Sequence, residues 1–214
     1  MIYNIYSNII VKVFILNSYI LIGPIGSGKT EAQKIFQNLN IKWFCADNTV
    51  RKLYEDQEVI SKINEIIPNS VKNGKIDKNI VREKIFTDED KLKLIESYIH
   101  PKVFLEFENF KIKFNDQNIL IFITPIIKSN NFLEKNNIIY INADKDIRIN
   151  RLKKRKNYNK KIIENIMNYQ ESSDIYIKNY SHIIQNNGSL LQLKILIQQT
   201  LSYLWTNILF MNNQ

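Results

Sequence analysis

Residues 23–30 read GPIGSGKT. The chain has only 5 glycines in 214 residues, and Gly23, Gly26 and Gly28 fall in this one stretch. The spacing Gly23-x4-Gly28-Lys29-Thr30 is that of a phosphate-binding loop, or P-loop. The chemistry calls for these residue types. Glycines let the backbone curl tightly around an anion, so that Gly23, Pro24, Ile25, Gly26, Ser27 and Gly28 can form a concave nest of N–H groups. A helix starting at Lys29 adds its positive N-terminal end. The Lys29 ammonium can reach the β- and γ-phosphates of a nucleoside triphosphate, and the Thr30 hydroxyl can ligate Mg²⁺. The plainer alternative is a tight strand-to-helix turn with a lysine in it. A chain so poor in glycine gives that alternative little support.

Motor ATPases and many GTPases carry an aspartate at the end of a later apolar strand. Here the corresponding run, NILIFIT (118–124), ends in Thr124 and Pro125, and no NKxD-type guanine motif is present. Small phosphotransferases remain, and these need an acceptor site and a cationic cover for the phosphates. Asp47, closing the run IKWFCAD (41–47), is placed to hydrogen-bond an acceptor hydroxyl and take its proton. An Asp-Asn pair ahead of a helical pattern also suits a helix N-cap, and residue type does not separate the two. Of 30 basic residues only Arg51, Arg82, Arg148, Arg151 and Arg155 are arginine. In a lysine-rich chain these mark positions where a planar, forked cation is needed. Arg148, Arg151 and Arg155 are spaced to share one helical face. With Lys153, Lys154 and Lys156 they suit a lid closing on a triphosphate, a solvated basic face, or a nucleic-acid stripe. No aromatic stacking motif accompanies them.

These residues need a framework. SYILIG (18–23) predicts a buried parallel strand, followed by a helix over 29–39. IKWFCAD predicts a second strand, and 48–113 is mostly helical with a turn at NGK (73–75). NILIFIT and IIYINA (138–143) are the third and fourth strands. A long basic helical stretch is expected over 145–170, HIIQ (182–185) as a fifth strand, NNGS as a turn, and a closing helix over 190–209. Strands alternating with helices predict an α/β fold with a parallel sheet. The helices between the second and third strands are too many for a simple crossover and predict an inserted helical subdomain. Residues 1–17 carry apolar side chains at 2, 5, 6, 9, 10, 13 and 14, the spacing of an amphipathic extension. They lack a basic leader, and Lys12 breaks the apolar run, so a signal peptide is not expected. No run reaches the roughly 20 apolar residues of a membrane helix. A lone cysteine, Cys45, cannot form an internal disulfide and suggests a reducing, cytoplasmic location. The net charge of +9 favours anionic partners, although much of the lysine is expected to be plain solvated surface.

From about Ser18 to Leu201 the chain resembles the dephospho-CoA kinases. The residues carrying the resemblance are YILIGPIGSGKT, CADNTVR (45–51), GKIDKNIVREKIF (74–86), the pair His100-Pro101, PII (125–127), RLKKR (151–155), Gln170 and IQNNG (184–188). The resemblance implies a P-loop kinase fold of three layers, α/β/α, around a five-stranded parallel sheet. It implies a single domain over 18–209, with a helical acceptor-binding subdomain near 60–115 and a helical lid near 145–160. The implied reaction is ATP-dependent phosphorylation of the ribose 3′-hydroxyl of dephospho-CoA to give coenzyme A. Lys29, Asp47, Arg151 and Arg155 would be catalytic. Residues 23–30, Asn186 and Gly188 would bind the nucleotide, Asp47, Arg51, Arg82 and His100 the acceptor, and Thr30 the Mg²⁺. His100, ahead of Pro101 at a helix start, also suits packing, as does His182 in its strand. The chain departs from the family pattern at Ile22, where a threonine is usual, and at Cys45, where the first Asp of Asp-x-Asp stands. It departs again at Ser129 in place of Glu and at Lys156 in place of an acid. A monomer or small homo-oligomer is expected, with no nucleic acid and no membrane as partner. Alternative readings are a nucleoside or nucleoside monophosphate kinase, and a nucleotide-dependent nucleic-acid-binding protein.

Overall fold

The structure is a computed structural model that describes residues 18–117, 119–125, 138–156, 158–173, 180 and 182–211. The expectations for residues 1–17, for PII beyond Pro125 and for Ser129 lie outside the described residues.

Five apolar runs form one sheet: β1 (Ser18–Ile22), β2 (Lys42–Cys45), then β5 (Leu120–Ile123), β6 (Ile138–Asn142) and β7 (His182–Gln185). Their spatial order is β2-β5-β1-β6-β7, all parallel. β1 and β5 are buried at every position, as central parallel strands covered on both faces must be. Alternate residues of β1 feed two separate cores. Tyr19 and Leu21 point to one face, with Ala32, Ile35 and Phe36 of α1 (Lys29–Asn38) and Leu193, Ile197, Leu201 and Leu204 of α8 (Leu190–Met211). Ile20 and Ile22 point to the other, where the inserted helices pack. That alternation makes the three layers.

The insertion runs between β2 and β5. It comprises α2 (Ala46–Leu53), α3 (Gln57–Ile66), α4 (Lys78–Ile85) and the 25-residue α5 (Glu89–Lys113). Asp56, Asp77 and Asp88 cap α3, α4 and α5, the first two accepting from two backbone N–H groups of the first turn and Asp88 from one, that of Lys91. The expected turn at Asn73-Gly74 is the tip of a small hairpin, β3 (Val71–Lys72) and β4 (Lys75–Ile76). Positive φ at both residues, 50° and 72°, matches the turn that suits right-twisted strands. Phe107 of α5 stacks on Phe122 of β5 with ring centroids 4.5 Å apart, seating the insertion on the sheet.

Three local expectations are corrected. The basic stretch over 145–170 is two helices, α6 (Lys145–Lys153) and α7 (Lys160–Ser173). The Arg155 N–H donates to Leu152 O and the Tyr158 N–H to Arg155 O, both at i to i−3 spacing, so the last turn tightens and stops. Asp47 does not end a strand and is not a cap: Cys45 holds the N-cap position, and Asp47 is the second residue of α2. His100 lies in the middle of α5, with Pro101 inside the helix, not at a helix start.

Candidate active site

β1 is the strand at which the chain's winding reverses. From it the chain passes to β2 and β5 on one side, then crosses over to β6 and β7 on the other. Ligands of open α/β sheets bind at such a crevice, beyond the carboxyl ends of the strands. The P-loop leaves β1 there. Ser27 N–H donates to Pro24 O at 3.1 Å, and the N–H groups of Glu31 and Ala32 donate to Gly28 O, starting α1. Gly28 has φ 113°, and a Cβ there would strike Asn186 Nδ2, so both the backbone and the close approach require glycine.

Three later elements grip the loop. Asn186, buried just past β7, donates from Nδ2 to Ser27 O at 2.7 Å, and its own N–H donates to Asn142 O at the end of β6. Gln170 of α7, also buried, accepts from Ile25 N–H at 2.7 Å. Arg151, in the last turn of α6, donates to Asn186 O at 3.0 Å and makes a longer contact, 3.5 Å, with Gly26 O. The Lys29 ammonium folds back across the loop and donates to Gly23 O and to Pro24 O, the latter at 3.2 Å. Two cations and the N-terminal end of α1 therefore converge on one concave backbone, an arrangement suited to a polyphosphate.

Thr30 is exposed in the first turn of α1. Gly188 lies in the loop before α8. A Cβ there would strike the Gln192 carboxamide, which accepts from Ser189 N–H at 2.7 Å while Ser189 Oγ accepts from Gln192 N–H. This is a capping box, legible as Ser-x-x-Gln at 189–192. Arg155 is exposed in the turn after α6, so it does not share a helix face with Arg151.

The acceptor-side candidates stand elsewhere. Asp47 and Arg51 are exposed four residues apart on α2, Arg82 is exposed in the last turn of α4, and His100 is exposed on α5. None of them takes part in the hydrogen bonds described around the P-loop. Cys45 is buried at the end of β2, and burial pushes its thiol pKa up, so it offers no anion in place of an aspartate. Sequence reasoning did not give Gln170 a role. Its signal was its place among the residues that carry the family resemblance, which gave no function for it.

The dephospho-CoA kinase family model matches residues 19–192. The chain belongs to the dephospho-CoA kinase family. It is 30% identical over 175 residues to a dephospho-CoA kinase of Fusobacterium nucleatum, covering 79% of this chain and 89% of that protein. It is 30% identical over 179 residues to the dephospho-CoA kinase of Gamma-proteobacterium EBAC31A08, covering 81% and 90%. The fold is shared with the solved structures of TT1252 from Thermus thermophilus, at TM-score 0.72 and 18% identity over 87% and 97% of the chains, and of a dephospho-CoA kinase from Campylobacter jejuni, at 0.53 and 20% over the same shares. The chain is accordingly a kinase, a phosphotransferase that uses ATP.

Proposed function

We propose that this dephospho-CoA kinase homologue transfers the γ-phosphoryl group of ATP to the ribose 3′-hydroxyl of dephospho-CoA, giving coenzyme A and ADP. The observation that carries the donor half is the P-loop held from three later elements with Lys29 across it. Lys29 and the loop N–H groups hold the β- and γ-phosphates, while Asn186, Gln170 and Arg151 keep the loop from rearranging. Asp47 accepts the proton of the hydroxyl as its oxygen bonds to the γ-phosphorus and the bond to the β-phosphate oxygen breaks. Arg51, Arg82 and His100 bind the acceptor, whose phosphates suit the two exposed guanidinium groups. Arg155 reaches the transferring group from its turn beyond α6, which itself stays packed on the loop through Arg148 and Arg151.

Mg²⁺ fits the donor set. Among the described residues no group of three or more His, Cys, Asp or Glu forms a metal cage. A hydroxyl beside a P-loop suits a cation that keeps most of its ligands as phosphate oxygens and water. Thr30 would hold it, and when bound the ion neutralises phosphate charge. Among the described residues no helix is long and apolar enough to cross a membrane. With its single buried cysteine, the enzyme is read as cytoplasmic, a monomer or small homo-oligomer without a nucleic-acid partner.

The test offers the purified protein Mg·ATP with dephospho-CoA and, separately, with nucleoside monophosphates. Mass spectrometry is expected to find coenzyme A and ADP in the first reaction only. A phosphorylated nucleotide in the second, with no coenzyme A in the first, would overturn the assignment.

A further inference from the structure

Arg148 has no role in the proposed reaction, yet it is the most deeply buried charge among the described residues. It is only 7% exposed. Its Nε donates to Ala143 O at 3.0 Å, just past β6, while Nη1 is buried with no hydrogen-bond partner among the described residues. Its main chain and Cβ form the wall of the P-loop at Gly26, where an added Cβ would come within 3.0–3.2 Å of them. One turn further along α6, Arg151 grips the same loop. A buried guanidinium with an unsatisfied N–H is costly, because arginine cannot shed its charge as a buried lysine can. Ser27 Oγ, in the same loop, is also buried and unpartnered.

We infer that Arg148 is a fixed internal cation of the triphosphate site: it strengthens polyanion binding at the P-loop and destabilises the ligand-free fold. The inference rests on the nucleotide-binding reading of the loop. It differs from the roles of Lys29 and Arg151, because Arg148, whose backbone packs beside the loop at Gly26, acts through its field and not through a bond to the loop. It is a positioning residue, not a catalytic one. A charge held in a poorly polarisable setting acts on a nearby anion more strongly than the same charge in water. Replacing a buried ion with an apolar side chain of similar volume is often neutral or stabilising for the fold.

The experiment compares wild type, R148M, R148K and K153A, the last removing an exposed charge from the same helix. Melting temperatures are taken without ligand, and affinities for Mg·ATP and for Mg·tripolyphosphate by calorimetry. R148M should melt at or above the wild-type temperature and bind both ligands about tenfold more weakly, which is about 1.4 kcal/mol. R148K should stay within about threefold of wild type, and K153A within about twofold. R148M that binds like wild type, or that melts lower or fails to fold, overturns the inference, since the buried charge is then structural. Equal losses in R148K and R148M that persist when the pH is lowered to about 6, where an introduced lysine regains its proton, also overturn it, because the bond from Nε and not the charge would matter. Wild type binding neither ligand overturns the nucleotide reading itself, and the inference with it.

Discussion

Around the P-loop the contacts are internal: a carboxamide after β7, a carboxamide from α7 and a guanidinium from α6 all close on backbone atoms of residues 25–27. On the insertion side of the sheet, Asp47, Arg51, Arg82 and His100 stand exposed on three separate helices. The proposed donor site is therefore organised by the fold itself. The residues proposed for the acceptor are exposed side chains spread over those helices, and they take no part in the bonds described around the loop. Substitutions in the first region should affect stability and nucleotide binding together. Those in the second should affect turnover or acceptor binding while the fold stays as it was.

The sharpest break between the regions should come from Asp47→Asn. As proton acceptor, Asp47 is expected to carry roughly 10²–10⁴ of kcat, with the melting temperature and ATP affinity unchanged. A near-normal kcat would make it an ordinary first-turn acid that merely suits the helix dipole. Lys29→Ala comes next, with a loss on the order of 10² in kcat. Because Lys29 also binds loop carbonyls, ATP affinity should fall as well, and steady-state kinetics with calorimetry would show whether both move.

Arg155→Lys keeps the charge but removes the fork, and should cost about tenfold in kcat, or about 1.4 kcal/mol. Lys154→Ala, beside it in the same turn, should cost little. Equal damage would mean that the turn supplies only diffuse charge. Gln170→Leu tests the donor side without touching a cation. It leaves Ile25 N–H without its partner and should lower stability on the order of 1 kcal/mol in urea unfolding, with weaker ATP binding and an unchanged KM for dephospho-CoA.

The smallest effect is expected far from both regions. His182 is half-buried on β7 with its ring edge-on to Tyr203, 5.1 Å away, and burial holds its pKa below the ordinary 6.5. The unfolded chain therefore takes up the proton first. This contribution to stability is complete above pH 6.5 and is lost as the pH falls from there through the lower, folded-state pKa. Urea unfolding at pH 7.5 and 5.5 should show the loss in wild type, and His182→Phe should flatten it. An unchanged pH dependence in that variant would assign the slope to other groups.

The features that amino-acid order determined alone are those set by short-range chemistry. Glycine spacing marked the P-loop, because its turn is a property of a few consecutive residues. Apolar, β-branched runs marked β1 and β5, since a strand buried on both faces must be apolar along its length, and HIIQ formed the edge strand β7 over all four residues. Asn-Gly marked the hairpin tip. Tertiary structure decided what joins distant parts of the chain. The bonds from Gln170, Asn186 and Arg151 to the loop span 145, 159 and 125 residues, and no local preference encodes a partner that far away. The break after Lys153 was hidden for a related reason: lysine, arginine and asparagine are tolerated in a helix and in a turn alike, so the end of α6 is settled by where α7 must lie to reach the loop. The arginines of α6 show the same limit. Their spacing suited a lid or a solvated face, and less well a nucleic-acid stripe, and only packing buried Arg148, set Arg151 on the P-loop and left Arg155 in solvent.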